Sequence, residues 1–153
     1  MLGDNGEGDN MNAEMILKAK GNVVITTGPE TTVAEGVARM QQEKIGALVV
    51  SGDGIEVTGI VTERDILHGL AEHGAMLLEK KVGEIMTCEV ITAKPEDDVD
   101  TLMGLMTQRR CRHIPVKADG VLCGVISIGD LVKSRLEEVE REANQLRDYI
   151  SRG

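Results

Sequence analysis

Gly59-Ile60-Val61-Thr62-Glu63-Arg64-Asp65 is the stretch that decides the fold, because its pattern returns at Gly124-Val125-Ile126-Ser127-Ile128-Gly129-Asp130. Each stretch has a glycine, two branched apolar residues, a hydroxyl residue, two variable residues and an aspartate. The preceding residues repeat as well: Pro29 and Pro95, for example, lie 66 positions apart. A unit of this length that occurs twice indicates a duplicated supersecondary unit and not a solenoid.

Composition limits the class of function. A chain of 153 residues with 41% hydrophobic residues is long enough for one domain with a substantial core. Tyr149 is the single aromatic residue and the net charge is −9, so neither base stacking nor phosphate-backbone binding is favoured. We therefore predict that the protein has no nucleic-acid partner.

The cysteines and the hydropathy pattern bear on the compartment. Cys88, Cys111 and Cys123 match no zinc template, and the histidines form no i,i+4 pair, so no metal site is predicted. We expect the three thiols to be small buried hydrophobes in a reducing compartment. No stretch approaches the roughly 18 apolar residues that span a membrane, and no secretion signal is recognisable. These patterns predict a cytoplasmic protein with no membrane partner.

Apolar runs and turn residues predict an α+β fold in which a β-α-β-β-α unit occurs twice. In the first unit the predicted elements are strand 23–26, a helix with a capping box at 32–35, strands 47–50 and 55–61, and helix 63–72. In the second unit they are strand 90–92, helix 99–109, strands 114–116 and 121–127, and a helix from 130. The two units are expected to form one domain with pseudo-two-fold symmetry.

Further segments flank the repeats. Residues 1–12 have little to bury and are predicted to be a disordered tail, followed by a short helix over 13–20 that ends at Gly21. We assign residues 13–80 to the first repeat, 81–135 to the second and 136–153 to a C-terminal amphipathic helix.

That last helix carries apolar residues at spacings of four and three, which are Val132, Leu136, Val139, Ala143, Leu146 and Ile150. This is the seam of a coiled coil and predicts a homodimer. The alternative is that the same stripe packs on its own domain.

The two hydroxyl–aspartate pairs are the main candidates for binding. Thr62 and Ser127 stand where a strand passes into a helix, with Asp65 and Asp130 three residues later. Such residues can simply cap the helix. The same geometry also presents a hydroxyl and free N–H groups to a phosphate, with a carboxylate placed for the two hydroxyls of a ribose. The occurrence of two copies favours binding.

A cationic cluster runs from Arg109 to His113 in an otherwise acidic chain. It is either a solvated helix end or a source of phosphate contacts, for which the guanidinium is well suited. Arg64 would play the same part in the first signature. Without aromatic residues, an adenine ring would lie between aliphatic side chains, where Gly46 permits close approach of the backbone.

The sequence resembles a pair of CBS domains, the Bateman module, over about residues 14–135. The resemblance rests on the two signatures, on Arg112-His113-Ile114-Pro115-Val116, and on the β-α-β-β-α order. It is most similar to small stand-alone bacterial CBS-pair proteins.

The resemblance implies that adenosyl nucleotides bind in two clefts between the repeats, with AMP, ADP, ATP, NAD or S-adenosylmethionine as candidate ligands. Carried over, one cleft would use Thr62, Arg64, Asp65, Thr92, Arg112 and His113, and the other Thr26, Gly46, Ala47, Ser127 and Asp130.

The predicted function is that of a non-catalytic regulatory module with no catalytic cofactor, which signals to a separate protein target. The alternative is an interaction module with empty clefts that acts through its C-terminal helix. Catalysis is disfavoured, because Cys111 and His113 have no orienting third group.

Overall fold

Two β-sheets, one in each half of the chain, form the framework. The computed structural model describes residues 11–21 and 23–152. The first sheet has the order β1 (Thr26–Thr27), β2 (Ala47–Val50) and β3 (Gly59–Thr62), with β1 parallel and β3 antiparallel to β2. The second sheet is the antiparallel pair β4 (His113–Ala118) and β5 (Val121–Ser127).

The helices complete the duplicated unit. In chain order they are α1 (Ala13–Lys20), α2 (Val33–Glu43), α3 (Glu63–His73), α4 (Val82–Ile85), α5 (Val99–Arg109) and α6 (Ile128–Arg152), with a 3-10 helix at Gly74–Glu79. The capping box at the start of α2 is confirmed, because the Thr32 hydroxyl accepts from Glu35 N and the Glu35 carboxylate accepts from Thr32 N. The predicted helices over 13–20 and 99–109 are confirmed at both ends.

The predicted strand over 90–92 is wrong, and the reason lies in β4. Only Ala93 pairs there: its N–H donates to Pro115 O and its carbonyl accepts from Lys117 N. Continuing this parallel ladder to Ile91 would require an N–H on residue 115, which proline lacks. The pairing of Ala93 with Val116 nevertheless repeats that of Thr27 with Val50.

Two other strands are shorter than predicted. The first begins at Thr26 and not at Val23, and the one predicted over 55–61 begins at Gly59. The cause of the second difference is Asp53, whose carboxylate accepts hydrogen bonds from the backbone N–H groups of Ile55 and Glu56. Those amides are therefore held in a turn and do not extend the ladder with β2.

The core of each half includes a short helix from the segment that was assigned to the other repeat. The buried residues Ala13, Ile16 and Leu17 of α1 belong to the core of the second sheet, together with Ile114 and Ile126. Conversely, Val82 of α4 packs in the core of the first sheet with Leu48 and Val61. The two cores therefore exchange their entry segments, and α1 contributes to the second core although it lies at the start of the segment assigned to the first repeat.

The segment predicted to be a disordered tail is partly ordered. Residues 1–10 of the predicted tail lie outside the described residues, whereas Met11 packs against the second core and the Asn12 side chain caps α1.

The prediction of buried thiols is wrong for Cys88, which is exposed, and Cys111 and Cys123 are only partly buried.

Helix α6 does not bury its apolar seam. Leu131 and Ser134 are its buried residues, while Leu136 is 63% exposed and Leu146 61% exposed. The alternative in which the seam packs on its own domain is therefore wrong. Among the described residues, no helix is both long and apolar enough to cross a membrane.

Candidate nucleotide clefts

Two neighbouring clefts lie where the signatures of the two halves meet. The Asp65 cleft, of about 520 Å³, is lined by Thr62, Arg64 and Asp65 of the first half and by Arg112 of the second. The Ser127 cleft, of about 1060 Å³, is lined by residues of both halves that include Gly46, Ala47 and Ser127. Both volumes are in the range of small-molecule sites.

In the Asp65 cleft the signature forms a complete capping box at the start of α3. The Thr62 hydroxyl accepts from Asp65 N at 3.3 Å, and Asp65 Oδ2 accepts from Thr62 N at 2.9 Å. The Thr87 hydroxyl lies 3.2 Å from Asp65 Oδ1. The capping role is thus real, yet Asp65 still lines the cleft and retains acceptor capacity on its two oxygens.

The second signature has the same backbone geometry but a different partner. Asp130 Oδ2 accepts from Ser127 N at 2.8 Å, and the Ser127 hydroxyl accepts from Asp130 N at 3.1 Å. The Lys20 ammonium, at the end of α1, also donates to Asp130 Oδ2 at 2.8 Å. As a result the carboxylate of Asp130 is ion-paired before any ligand is present.

Positive charge is arranged unequally around the clefts. Four arginines line the Asp65 cleft, namely Arg64, Arg109, Arg110 and Arg112. Arg110 is the C-cap of α5 with φ of 55°, a left-handed conformation that ends the helix and lets the chain turn toward β4. The Ser127 cleft has Lys20, Lys44 and Arg112. The arginine cluster predicted from the sequence therefore faces mainly one cleft.

The wall between the clefts is formed by Gly46, Glu63 and His113, which line both. A Cβ on residue 46 would lie 3.0 Å from Glu63 Oε1 and 3.3 Å from His113 Nε2, so a larger residue would require these side chains to shift by a few tenths of an ångström. Burial lowers the pKa of His113 below its ordinary value, although Glu63 acts in the opposite direction. His113 is accordingly a neutral imidazole near pH 7.

The structure brings most of the predicted site residues together. Thr62, Arg64, Asp65, Arg112 and His113 line the Asp65 cleft, and Gly46, Ala47 and Ser127 line the Ser127 cleft.

Three predicted residues stand apart from the cleft linings. Thr92 is exposed and Thr26 lies beside Ile25, which takes its place in the lining. Asp130 is covered by Lys20. The division of residues between the clefts also differs from expectation, because Arg112 and His113 belong to both.

Several lining residues were not predicted. Lys20 and Glu63 are charged, Thr87 contacts Asp65, and an aliphatic group surrounds the Ser127 cleft, made of Ile25, Val37, Met40, Ile45, Ile66 and Leu70. Val37 and Met40 lie on α2, and Ile66 and Leu70 on α3, so helical periodicity could have indicated these four. No local pattern marks Lys20, because its partner is 110 positions away in the sequence.

The site offers little for catalysis by a thiol. Burial raises the pKa of the Cys111 thiol above its ordinary value, which disfavours the nucleophilic thiolate. Within residues 11–21 and 23–152, no group of three or more His, Cys, Asp or Glu side chains could hold a metal ion.

Comparison with known proteins identifies the family. A family model of the CBS domain matches residues 22–72 and 82–137. The mitochondrial CBS domain-containing protein CBSX3 of Arabidopsis thaliana is 42% identical over 128 residues, which are 81% of this chain and 62% of that protein. The chain thus spans less than two thirds of the length of that relative.

Solved structures agree with this result. A CBS-domain containing protein from Agrobacterium tumefaciens is 40% identical and superposes with a TM-score of 0.78, over 81% of this chain and 92% of the other. A CBS domain pair solved in complex with 5′-methylthioadenosine and S-adenosyl-L-methionine is 26% identical, with a TM-score of 0.73 over 86% and 98% of the two chains. The protein belongs to the CBS-domain family and consists of a tandem CBS pair followed by a long C-terminal helix.

Proposed function

We propose that this CBS pair is a non-catalytic regulatory module that binds adenosine nucleotides in its two clefts and signals to a partner protein. The candidate ligands are AMP, ADP, ATP, NAD and S-adenosylmethionine. The observation that carries the proposal is the position of Thr62 and Asp65 at the start of α3, on the wall of a cleft of about 520 Å³. A related CBS pair that holds two adenosine compounds supports the ligand class.

The chemistry of each part of such a ligand has a matching partner. A carboxylate at the start of a helix accepts hydrogen bonds from ribose hydroxyls, and the hydroxyl residue of that first turn can donate to a phosphate oxygen. The aliphatic walls around Ile45 and Ile66 accept the flat face of adenine in the absence of aromatic residues. The arginines of the Asp65 cleft favour a ligand with more than one phosphate.

The first test is to denature the purified protein and identify any released small molecule by mass spectrometry, and then to titrate AMP, ATP, NAD and S-adenosylmethionine by calorimetry. Replacing both Asp65 and Asp130 by alanine is expected to weaken nucleotide binding at least about tenfold, since hydrogen bonds to a charged acceptor are lost. Unchanged affinity in the double variant would refute the assignment of these residues.

Asp98→Ala is the matched control for loss of a helix cap. The Asp98 carboxylate accepts from Thr101 N at 2.8 Å at the start of α5, but the residue lines neither cleft. It should lower the melting temperature through the missing cap, typically worth about 1 kcal/mol, without changing nucleotide affinity. A fall in affinity equal to that of the double variant would mean that capping, and not ligand contact, is what the aspartates contribute.

We also propose that α6 joins two copies of the chain, because its exposed seam has the spacing that helix pairs use. Replacing Leu136 and Val139 by glutamate should shift the molar mass in solution from dimer to monomer. Lys133→Glu, on the same helix but off the seam, is the control.

A further inference from the structure

Lys20 makes a contact that joins the start of the chain to the second signature. Its ammonium donates to Asp130 Oδ2 at 2.8 Å and to the carbonyl oxygen of Val125 at 2.8 Å. The side chain of Lys20 is 41% exposed and that of Asp130 21% exposed, so the pair is partly shielded from solvent. The contact reaches from the last residue of α1 to the first turn of α6.

Within residues 11–21 and 23–152, the first signature has no equivalent ion pair. The 66-residue repeat places Met86 where the second signature has Lys20, and the sulfur of Met86 lies beside Gly59. Asp65 instead meets the neutral hydroxyl of Thr87. In the clefts, Asp65 lines the Asp65 cleft, whereas Lys20 and not its ion-pair partner Asp130 lines the Ser127 cleft.

We propose that Lys20 is a latch on Asp130 that makes the Ser127 cleft select phosphorylated nucleosides over unphosphorylated ones. The inference rests on the proposed nucleotide binding and adds a specificity-determining residue to it. A ribose that takes Asp130 must first displace the ammonium. An unphosphorylated nucleoside offers that ammonium no replacement, whereas a phosphate does.

Position and chemistry make the exchange of partners feasible. Lys20 lines the same cleft as Ser127, whose hydroxyl stands at the N-terminus of α6, where a phosphate would bind. A lysine carries a compact charge on a flexible four-carbon stem, which lets it move between nearby anions without the planar geometry that arginine needs. The energy of breaking a partly exposed ion pair is small, so the latch biases binding and does not prevent it.

The test compares the affinities of adenosine and AMP in the Asp65→Ala variant, so that the measured binding is that of the Ser127 cleft. Lys20→Met removes the ammonium and gives position 20 the residue found at its counterpart, Met86. We expect adenosine to bind about fivefold more tightly, because no ion pair has to be broken. The preference for AMP over adenosine should fall by at least the same factor.

Lys18→Met is the matched control. It removes the same charge from the same turn of α1, but Lys18 is 67% exposed and its ion-pair partner is Glu14, at 3.9 Å. It should leave both affinities unchanged. A general loss of positive charge would weaken AMP binding in both variants and would not strengthen the binding of neutral adenosine, so it cannot imitate the expected result.

Hydrogen exchange of the ligand-free protein, combined with the affinities, distinguishes failure of the latch from failure of the proposed nucleotide binding. Faster exchange over residues 13–21 in Lys20→Met and in Asp130→Asn is expected if the bridge holds α1 in place. If exchange rises but the ratio of AMP to adenosine affinity is unchanged, the bridge is structural and the latch is overturned while nucleotide binding stands. If AMP binds neither the wild-type protein nor any variant, the proposed function fails and the latch with it.

Discussion

The two halves of this CBS pair share a backbone pattern and differ in what faces their clefts. Residues 46 and 47 of the first half are glycine and alanine, whereas their counterparts in the second half are Arg112 and His113. The small pair leaves room beside Glu63 and His113, and the Arg112 guanidinium and the His113 imidazole reach from the second sheet into both clefts. Duplication has therefore kept the positions of the aspartates and changed the chemistry around each of them.

The cores of the halves differ as well. The second core includes α1 and the first turns of α6, with Leu102 and Leu131 fully buried. The counterpart of Leu102 in the first half is Gly36, where an added Cβ would lie 3.3 Å from Val82. The first half thus brings α4 close to α2, whereas the second half fills the same position with a side chain.

The largest expected effect tests this difference in the cores. Leu102→Ala should reduce the free energy of unfolding by about 2 to 5 kcal/mol, because it leaves a cavity in a fully buried site. Chemical denaturation with circular dichroism would measure it. Leu78→Ala, at a position that is 41% exposed, is the control, and an equal loss in both variants would contradict the account of the second core.

A smaller effect compares the signature glycines. A Cβ at Gly59 would lie 2.6 Å from Met86 Sδ and 2.9 Å from the carbonyl oxygen of Thr87, which is fixed by its hydrogen bond with Ile60. At Gly124 the nearest atom is the end of the Leu17 side chain, at 2.8 Å.

Gly59→Ala should therefore cost about 1 to 3 kcal/mol and Gly124→Ala less, since a side chain can move where a paired backbone cannot. Thermal melts of the two variants in parallel would decide the order. A greater loss in Gly124→Ala would show that α1 is held more rigidly than the backbone at Thr87.

The smallest effect concerns pH and the single imidazole between the clefts. Burial holds the pKa of His113 below its ordinary value of 6.5, with Glu63, Lys20, Asp130 and Arg112 as the charged neighbours that modify it. The unfolded chain then binds the proton more readily than the folded one. The corresponding stability is present above about pH 6.5 and is lost as the pH falls through the pKa of the folded protein.

Melting temperatures between about pH 7.5 and pH 5.5 would reveal this slope, a window above the ordinary carboxyl pKa values. His113→Gln should flatten it. A slope that is unchanged in this variant would place the proton uptake elsewhere in the molecule.

The sequence was a good guide wherever a pattern is local. The two signatures, the capping box at Thr32 and the helix over 99–109 follow from adjacent residues, and the structure confirms them. The failures arise from contacts that no local pattern records. Pro115 in β4 lacks the N–H that a strand over 90–92 would need, and Lys20 is ion-paired with Asp130, which is 110 positions away.

The exchange of entry segments between the cores has a consequence during synthesis. Helix α1 is synthesised before the strands that cover Ile16 and Leu17, and Lys20 and its partner Asp130 are 110 residues apart. At typical rates of about 5 to 20 residues per second, α1 waits roughly 5 to 20 seconds for its partners. Throughout that interval the apolar side chains of α1 lack their core partners, and an eight-residue segment by itself does not hold a stable helix.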